Sequence, residues 1–466
     1  MKIKLEITIS DNEYTEEKKE IQVQIDESIT DGLDNLDKWE ADVRKIGFQT
    51  MRELFRCGIE SFEDKLLSEY RHRDEKCQPI RRGRLDFTLA TIFGKVTLQR
   101  QRLWCKTCKK WVTPLNEALG LHEEEKERTT LALQQLASLC AVNQPYRLAE
   151  KMVKEITQEP EVISHQQIKL IVDQKGNQLR QHEEQDRQRT SMNVVRGILD
   201  RRPRSPTRIG QLYICLDGIY VRSHKGKGNW QEGKVGFICT DERESLGHKG
   251  RHRIPVKRYI SSFENSSILG SRVYSEAVKM GLYEYDEVIV LGDGARWIRK
   301  IHRQCFRDAA YILDWYHLHR KACDTFGLTF PDDAKHRREL RREVTGCLWK
   351  GQKEEALEKL KGLYTQLLSA GKQELLRQRN GLEELIAYIE SNWKGIVNYR
   401  QMQKSGYMIA STLVESAVNL VIAKRQKKHQ GMHWSRSGAD SLSALRTLWL
   451  NEEWEDYWQQ LCNKVA

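Results

Sequence analysis

Hydrophobic and polar residues alternate at the start of the chain, first over residues 3–9 and again over residues 21–25. A period of two is typical of β-strands, so the pattern predicts an N-terminal hairpin. Residues 35–70 instead have apolar side chains at helical spacing, which predicts a long amphipathic helix. A second hairpin is predicted from RLDFTLATIF and KVTLQRQRLW, which flank Gly94 as the turn residue.

Residues 129–181 predict three helices. Pro145 opens the second helix, because proline is tolerated in a first helical turn, and Ser164 can cap the third. A helix, a short turn and a further helix with polar side chains at its start form the outline of a DNA-reading helix-turn-helix. An ordinary three-helix packing unit is the alternative interpretation.

The Pro- and Arg-rich stretch DRRPRSPTRIG marks a domain boundary near residues 197–209. Three strands close in sequence follow, and then helices and strands alternate, which indicates a mixed sheet of the α/β class. Residues 333–392 lack proline and predict a helical insertion. The predicted domains are an N-terminal α+β region, a helical DNA-binding region, a catalytic domain in two pieces and the insertion, at residues 1–120, 121–196, 210–332 with 393–466, and 333–392.

The charge balance favours a polyanionic partner, although a merely basic soluble protein remains an alternative. Lys and Arg number 78 in the 466 residues against 66 Asp and Glu, a net charge of +12. No apolar run reaches about 18 residues, so no membrane span is expected. The N-terminus does not have the pattern of a secretory signal, and the scattered cysteines suit free thiols in a reducing cytosol. We therefore expect a cytoplasmic protein.

Three acidic residues stand out because each adjoins an apolar run. Asp217 follows YICL and Asp293 follows VIVLG, each before a glycine, while Glu415 lies in the helical pattern MIASTLVESAVNLVIAK. A buried unpaired carboxylate is costly, so residues that end apolar strands suggest a site. Two such aspartates and a helical glutamate can hold a pair of divalent metals for attack on a phosphodiester. The alternative is that the aspartates are ordinary turn residues and the glutamate an ordinary surface residue, with no catalytic role. Asn419 lies one helical turn after Glu415 and could orient a metal-bound water or a phosphate.

Basic residues follow these motifs closely. Positive side chains with interleaved aromatic residues can neutralise phosphates and stack on unpaired bases, although single charge runs are usually solvated faces. The candidate DNA-contacting residues are Arg222, Lys225, Lys227, Lys249, Arg251, Lys424, Arg425, Lys427, Lys428, Trp434 and Arg436.

A cysteine pair at the end of the second predicted hairpin has metal-ligand spacing. Cys105 and Cys108 form a Cys-Lys-Thr-Cys knuckle, which is half of a zinc ribbon. His72 and Cys77 are candidates for the other half, so these four residues could bind zinc. A degenerate knuckle without metal is the alternative.

At these motifs the chain resembles the DDE transposases of bacterial insertion sequences, nearest to the Kra-type family and close to the Lre-type family. The matching segments run over about residues 84–457 and include TIFGKVTLQRQRLWC, LDGIYV, VLGDGARWI, ILDWYHLHRK, VES and KKHQGMHWSRSGADSLSALRTLW. The resemblance implies an RNase H-like catalytic fold interrupted by a helical insertion, with Asp217, Asp293 and Glu415 as the catalytic triad. Asp314 and His317 match an auxiliary Asp-x-x-His motif, with a structural capping pair as the alternative. The family often has a Gly-Ser-Gly-like run before the glutamate, where this chain has IASTLVES.

The expected function is therefore DNA cutting and joining at insertion-sequence ends, with two Mg²⁺ or Mn²⁺ ions bound by the triad. The expected partners are double-stranded DNA, as terminal inverted repeats and target, and a second copy of the chain on DNA, in a nucleoid-associated bacterial enzyme. Two alternatives remain: a catalytically inactive relative that binds DNA without cutting, and another RNase H-like nuclease such as a junction resolvase.

Overall fold

A computed structural model describes most of the chain and divides it into two compact units. The first unit comprises residues 1–171 with 458–466, and the second comprises residues 172–457. The described residues are 2–11, 15–24, 36–70, 79–120, 127–195, 208–224, 229–245, 252–331, 333–369, 376–410, 412–428 and 432–465.

The first unit begins with the predicted hairpin, in which β1 (Lys2–Asp11) pairs antiparallel with β2 (Thr15–Gln24). A long helix and a four-stranded sheet follow. These elements are α1 (Leu36–Glu69), β3 (Pro79–Thr91), β4 (Gly94–Cys105), β5 (Lys110–Val112), α2 (Pro114–Leu119) and β6 (Glu127–Thr129). The sheet order is β5-β4-β3-β6. Gly94 starts β4 at the hairpin turn with a φ of 112°, a conformation that glycine adopts without strain.

One face of α1 covers this sheet. Phe55 and Ile59 of the helix pack against the buried side chains Phe87 and Leu89 of β3. Burial of this face gives the first unit part of its core, because apolar area removed from water stabilises a fold.

Three helices follow where the sequence predicts them. They are α3 (Leu131–Asn143), α4 (Tyr146–Thr157) and α5 (His165–Val195). The predicted cap is present: the backbone N–H of Gln167 donates to Ser164 Oγ at 3.3 Å, and the backbone N–H of Ser164 donates to Gln167 Oε1 at 2.8 Å. This reciprocal capping box satisfies two backbone donors at the start of α5.

The second unit is built around a five-stranded mixed sheet. Its first elements are β7 (Arg208–Arg222), β8 (Trp230–Thr240), β9 (Glu244–Ser245), β10 (His252–Arg253), β11 (Lys257–Ser262), α6 (Ser266–Lys279), β12 (Tyr285–Gly292), α7 (Arg296–Cys305) and β13 (Ala310–Leu313). The sheet order is β11-β8-β7-β12-β13. β8 is antiparallel to both β7 and β11, whereas β7, β12 and β13 are mutually parallel. The prediction of a mixed sheet of the α/β class is confirmed.

One face of this sheet forms the main apolar core. Leu212, Ile214 and Leu216 alternate along β7 and pack with side chains of α6 and α7. Side chains alternate along a strand, so the residues between Leu212, Ile214 and Leu216 point to the opposite face of the sheet. Later segments of the chain cover that face.

The rest of the second unit is helical. Its elements are α8 (Trp315–Thr329), α9 (Ala334–Trp349), α10 (Lys353–Ser369), α11 (Leu376–Ser391), a 3₁₀ turn (Trp393–Gly395), α12 (Tyr399–Lys404), α13 (Thr412–Val418), a π-helical segment (Asn419–Lys427) and α14 (Arg436–Leu450). The last helix, α15 (Trp454–Val465), begins in the second unit and lies mostly in residues of the first. Residues 333–392 thus hold α9, α10 and α11, and α11 packs against α8. None of the described helices is long and apolar enough to cross a bilayer.

Candidate active site

Three aspartates occupy one row across the second unit's sheet. Leu216 of β7 pairs with Gly292 of β12, and Gly292 pairs with Leu313 of β13. One residue further along each strand lie Asp217, Asp293 and Asp314, and the backbone N–H of Asp314 still donates to the Gly292 carbonyl at 2.9 Å. Parallel strands present equivalent positions at the same edge, so the register itself brings these carboxylates together.

The position of Asp217 corrects one expectation. The sequence pattern placed it where its strand ends, but β7 continues to Arg222 because β8 stays paired with it, with Asp217 opposite Val235. The neighbouring strand β12 is the one that ends, at Gly292. Asp217 therefore has a paired strand on one side and an open sheet edge on the other, where Asp293 lies.

Asp217 and the Glu415 helix share one face of the sheet. A Cβ added to Gly236, opposite Leu216, would meet Val273 of α6 at 2.6 Å, so that side faces α6. Gly233 lies on the other side, with Asp217, and a Cβ there would meet Ile422 at 2.8 Å. The helix α13, which carries Glu415, also packs against β7 and β8. The segment 412–427 therefore covers the face from which Asp217 projects.

Burial and like charge act together on Asp217. Its Oδ1 accepts a 2.7 Å hydrogen bond from the backbone N–H of Gly218. The pKa of this carboxyl is raised to about 6, mainly by burial and also by the charges of Asp293 and Asp314, while the Gly218 hydrogen bond and His317 oppose the rise. Asp293 Oδ1 accepts from the backbone N–H of Ala295 at 2.9 Å. The arrangement concentrates negative charge that a bound cation would neutralise.

Asp314 and His317 form a second pair beside these aspartates. Asp314 is fully buried, and its Oδ1 accepts from the backbone N–H of His317 at 2.9 Å, which caps α8. Its Oδ2 lies 3.4 Å from His317 Nδ1. Contact with Asp314 raises the pKa of His317, and the charges of Asp293 and Asp217 raise it too. The pair thus caps α8 and also holds, near Asp217, a histidine ring that favours its protonated form.

The helical insertion contacts the loop of Asp293, which no sequence motif had indicated. The Tyr388 hydroxyl of α11 donates to the Asp293 carbonyl at 2.6 Å. Gly294 has a φ of 85°, and a Cβ on it would lie 2.7 Å from Asn392 Oδ1, so only glycine fits there. An open pocket adjoins these groups and is lined by Asp293, His317, Arg320, Lys321, Asp324 and Tyr388.

The helix of Glu415 covers the sheet face from which Asp217 projects, but the Glu415 side chain itself is exposed. Val414, Ala417 and Val418 of the same short helix are buried. Asn419 is half-buried and begins the π-helical segment. Within the described residues, no three His, Cys, Asp or Glu side chains are grouped closely enough to hold a metal. Strand register therefore places the three aspartates at one edge of the sheet, but among the described residues neither they nor Glu415 form a cluster close enough to hold a metal.

The predicted basic surface divides into exposed and buried residues. Arg222 is exposed, with its guanidinium 5.8 Å from the centre of the Trp230 ring. The exposed residues that follow α13 are Lys424, Lys427, Lys428 and Arg436. Lys225, Lys227, Lys249 and Arg251 lie outside the described residues.

Two residues of this predicted surface must be reassigned to packing. Arg425 is fully buried and Trp434 is 5% exposed, with the guanidinium 5.3 Å from the indole centre. Trp434 Nε1 donates to the Gln426 carbonyl at 3.1 Å. Because both side chains are buried and contact each other, they have no surface to offer to DNA. Basic and aromatic composition alone did not distinguish the two environments.

The cysteine knuckle is present at the end of β4. Cys105 is buried and Cys108 is half-buried. The knuckle is bounded by the Trp104 and Trp111 rings, whose centres lie 4.9 Å apart. His72 and Cys77, the other two predicted zinc ligands, lie outside the described residues, so zinc binding stays a prediction.

Most of the chain matches a protein-family model and a related bacterial protein. A family model described as "Uncharacterised protein family (UPF0236)" matches residues 29–455. A protein of Streptococcus gallolyticus named "UPF0236 protein in vanSb 3'region" is 26% identical over 410 residues, which cover 86% of this chain and 80% of that protein. A solved structure, the Drosophila P element transposase strand transfer complex, aligns with 52% of this chain and 78% of its own at 10% identity, with a TM-score of only 0.24.

Proposed function

We propose that this chain, which belongs to the UPF0236 family of uncharacterised proteins, is a metal-dependent DNA transposase of the DDE type. One observation carries the proposal: Asp217 and Asp293 each come one residue after the register pair Leu216–Gly292 of adjacent parallel strands, and the half-buried carboxyl of Asp217 has a pKa raised to about 6. The charge of Asp293 helps to raise the pKa of Asp217, so the two ionised carboxylates repel each other, which costs free energy that a purely structural role would not require. A bound divalent cation removes that cost.

The donors present fit magnesium or manganese. Both are hard cations that prefer carboxylate oxygen, and each candidate aspartate has one oxygen engaged by a backbone N–H and a second that this bond does not use. In the proposal, Asp217 and Asp293 hold the ions from the sheet and Glu415 approaches them from α13. Ions bound there would activate a water or a 3′-hydroxyl and stabilise the leaving oxygen of a phosphodiester.

The neighbouring residues have supporting tasks. Asp314 orients His317, whose raised pKa favours a positively charged ring that can bind a phosphate oxygen. Tyr388 fixes the main chain of Asp293 through its hydrogen bond to the carbonyl. Exposed Lys424, Lys427 and Lys428 follow the Glu415 helix and neutralise backbone phosphates of bound DNA.

The five-stranded mixed sheet, interrupted by helices between Asp293 and Glu415, supports the RNase H-like fold that the sequence resemblance implies. The proposed partners are duplex DNA at the ends of an insertion sequence and a second protein copy, in the bacterial cytoplasm. The helices α3, α4 and α5 are proposed to recognise the terminal repeats through their helix-turn-helix outline.

A second candidate is a relative that binds DNA without cutting it. The exposure of Glu415 favours this reading, because its side chain stands outside the row of aspartates. The chain also has IASTLVES where related transposases often have a glycine-rich run. A third reading is a nuclease of another kind, such as a junction resolvase.

Cleavage of labelled duplexes separates these readings. The substrates are the DNA ends that flank the gene, an unrelated duplex of equal length and a four-way junction, each with Mg²⁺, Mn²⁺ or EDTA. A transposase cuts the flanking ends, needs the metal, and loses roughly a thousandfold in rate on Asp217→Asn, about 4 kcal/mol of barrier. Binding without cutting by the wild-type protein supports the inactive relative. Preferential cutting of the junction contradicts the transposase assignment.

A further inference from the structure

We propose that α1 is a dimerisation helix that pairs antiparallel with α1 of a second copy of this chain. The observation is a stripe of residues along one face of the helix, at steps of three or four residues, which lie on one side of an α-helix. The α1 stripe consists of Leu36, Trp39, Val43, Gly47, Met51, Leu54, Gly58 and Phe62. The proposal concerns assembly and is independent of the catalytic assignment.

The apolar members of the α1 stripe face solvent. All six of its large side chains are exposed, from 36% for Leu54 to 64% for Leu36. The adjoining side of the helix, with Phe55 and Ile59, is the one that packs on the sheet of its own unit. A continuous run of large exposed apolar side chains marks an interaction surface, because single exposed residues are common but an aligned set is not.

The two glycines give the α1 stripe its specificity. Neither is explained by packing within the described part of the protomer, since a Cβ built on Gly47 or Gly58 meets no atom within 4 Å. A glycine inside a helix costs about 0.5–1 kcal/mol relative to alanine. Two glycines on the solvent side of α1 therefore leave recesses where another helix can approach.

The order of large and small residues identifies the partner as the same helix, reversed. When two copies pair antiparallel about an axis near Gln49, Trp39 of each copy lies opposite Gly58 of the other, and Met51 lies opposite Gly47. The remaining positions pair Val43 with Leu54 and Leu36 with Phe62. Large residues then fill the glycine recesses at a self-complementary two-fold interface. A parallel pair would instead set Trp39 against Trp39 and leave the Gly58 recesses facing each other.

The size of the α1 stripe sets the expected strength. From Leu36 to Phe62 the helix rises about 39 Å, at 1.5 Å per residue. A strip of that length and about 10 Å wide covers about 400 Å² on each copy, roughly half the area per partner of a standard stable interface. We therefore expect a reversible dimer whose population depends on protein concentration.

Sedimentation velocity of the full chain over a concentration series tests the proposal. The wild-type protein should show a reversible monomer–dimer equilibrium. Val43→Lys and Leu54→Glu, made singly, should each raise the dissociation constant by about tenfold or more, because each places an unpaired charge in an apolar contact. The double variant should recover to within about threefold of wild type, since in the antiparallel register the new lysine of one copy then faces the new glutamate of the other.

The control is Leu170→Glu, which changes an exposed apolar residue of the same unit outside the α1 stripe. It should leave the dissociation constant unchanged, and circular dichroism should show that every variant retains the wild-type helix content. A chain that stays monomeric throughout the series overturns the proposal, as does a dimer that Val43→Lys does not weaken. Failure of the double variant to recover overturns the antiparallel register.

Discussion

The hydroxyl of Tyr388 donates a 2.6 Å hydrogen bond to the main-chain carbonyl of Asp293. The two residues are 95 positions apart, and Tyr388 belongs to the helical insertion while Asp293 directly follows a strand of the sheet. The bond ties the insertion to the loop that presents a candidate metal-binding carboxylate. The insertion is therefore part of the site's framework in addition to being an interruption of the sheet.

Tyr388→Phe should loosen this loop and weaken metal binding. A hydrogen bond contributes about 0.5–1.5 kcal/mol, so we expect the Mn²⁺ dissociation constant to rise by roughly three- to tenfold. Titration calorimetry with Mn²⁺ measures this without any DNA substrate. Tyr364→Phe, on α10 of the same insertion, is the matched control and should bind Mn²⁺ like the wild type. Equal affinity in the wild-type and Tyr388→Phe proteins would show that the bond is only structural.

Asp217 should make the metal-free protein less stable as the pH rises. Its pKa in the folded state is about 6 against an ordinary value of 3.8, so the folded protein binds the extra proton between these values. The free energy of unfolding should then fall from about pH 4 to pH 6, and the loss of on the order of 2–3 kcal/mol should persist above pH 6.

The difference between wild type and Asp217→Asn isolates this group from the other titrating residues. In EDTA, the Asn variant should be the more stable protein at pH 7 and lose that advantage at pH 4. Saturating Mg²⁺ should stabilise the wild type, by about 2.7 kcal/mol at one hundred times the dissociation constant, and leave the variant unchanged. Urea unfolding at each pH measures both effects, and a pH-independent difference between the proteins would contradict the pKa assignment.

The exposed lysines after α13 should contribute to DNA affinity through charge alone. Replacing Lys424, Lys427 and Lys428 by Ala removes up to three phosphate contacts, each worth about 0.9 in the slope of log K against log salt for duplex DNA. Binding should weaken for all duplex sequences alike, as fluorescence anisotropy at several salt concentrations would show.

A charge-matched triple replacement of Lys335, Lys359 and Lys361, on the helical insertion, controls for the change in net charge. It should shift the salt slope less than the replacement after α13. If both triple variants flatten the slope equally, the lysines after α13 have no privileged contact with DNA, and the net charge of the chain explains the binding.

Replacing Trp434 should reduce folding stability and should not act mainly through DNA binding. Its ring is buried against Arg425, and Trp434→Ala should cost about 3–5 kcal/mol of folding free energy, as large-to-small changes in a core do. Thermal unfolding measures that cost. The DNA affinity of the folded protein distinguishes the two roles. A selective loss of affinity for ends with unpaired bases, at an unchanged melting temperature, would support the stacking role that the sequence suggested.

Local order in the sequence was enough to predict most elements of the fold. The alternation of residues 3–9 and 21–25 predicted a hairpin that is present, and the apolar runs before Asp217 and Asp293 predicted two strands of the main sheet. These predictions succeed because the period of side-chain burial follows directly from strand and helix geometry. The same patterns marked both aspartates as exceptions to an apolar strand.

The tertiary structure alone decided which of these residues meet. Strand register is set by pairing between distant segments, and it aligned Asp314 with Asp217 and Asp293 while Glu415 stayed exposed on α13. Tyr388 came to the site through packing of α11, which leaves no motif in the sequence. Arg425 and Trp434 look like a basic, aromatic surface in the sequence, yet they are buried. Sequence period determines the face of an element on which a residue lies, but burial depends on what the rest of the chain packs against that face.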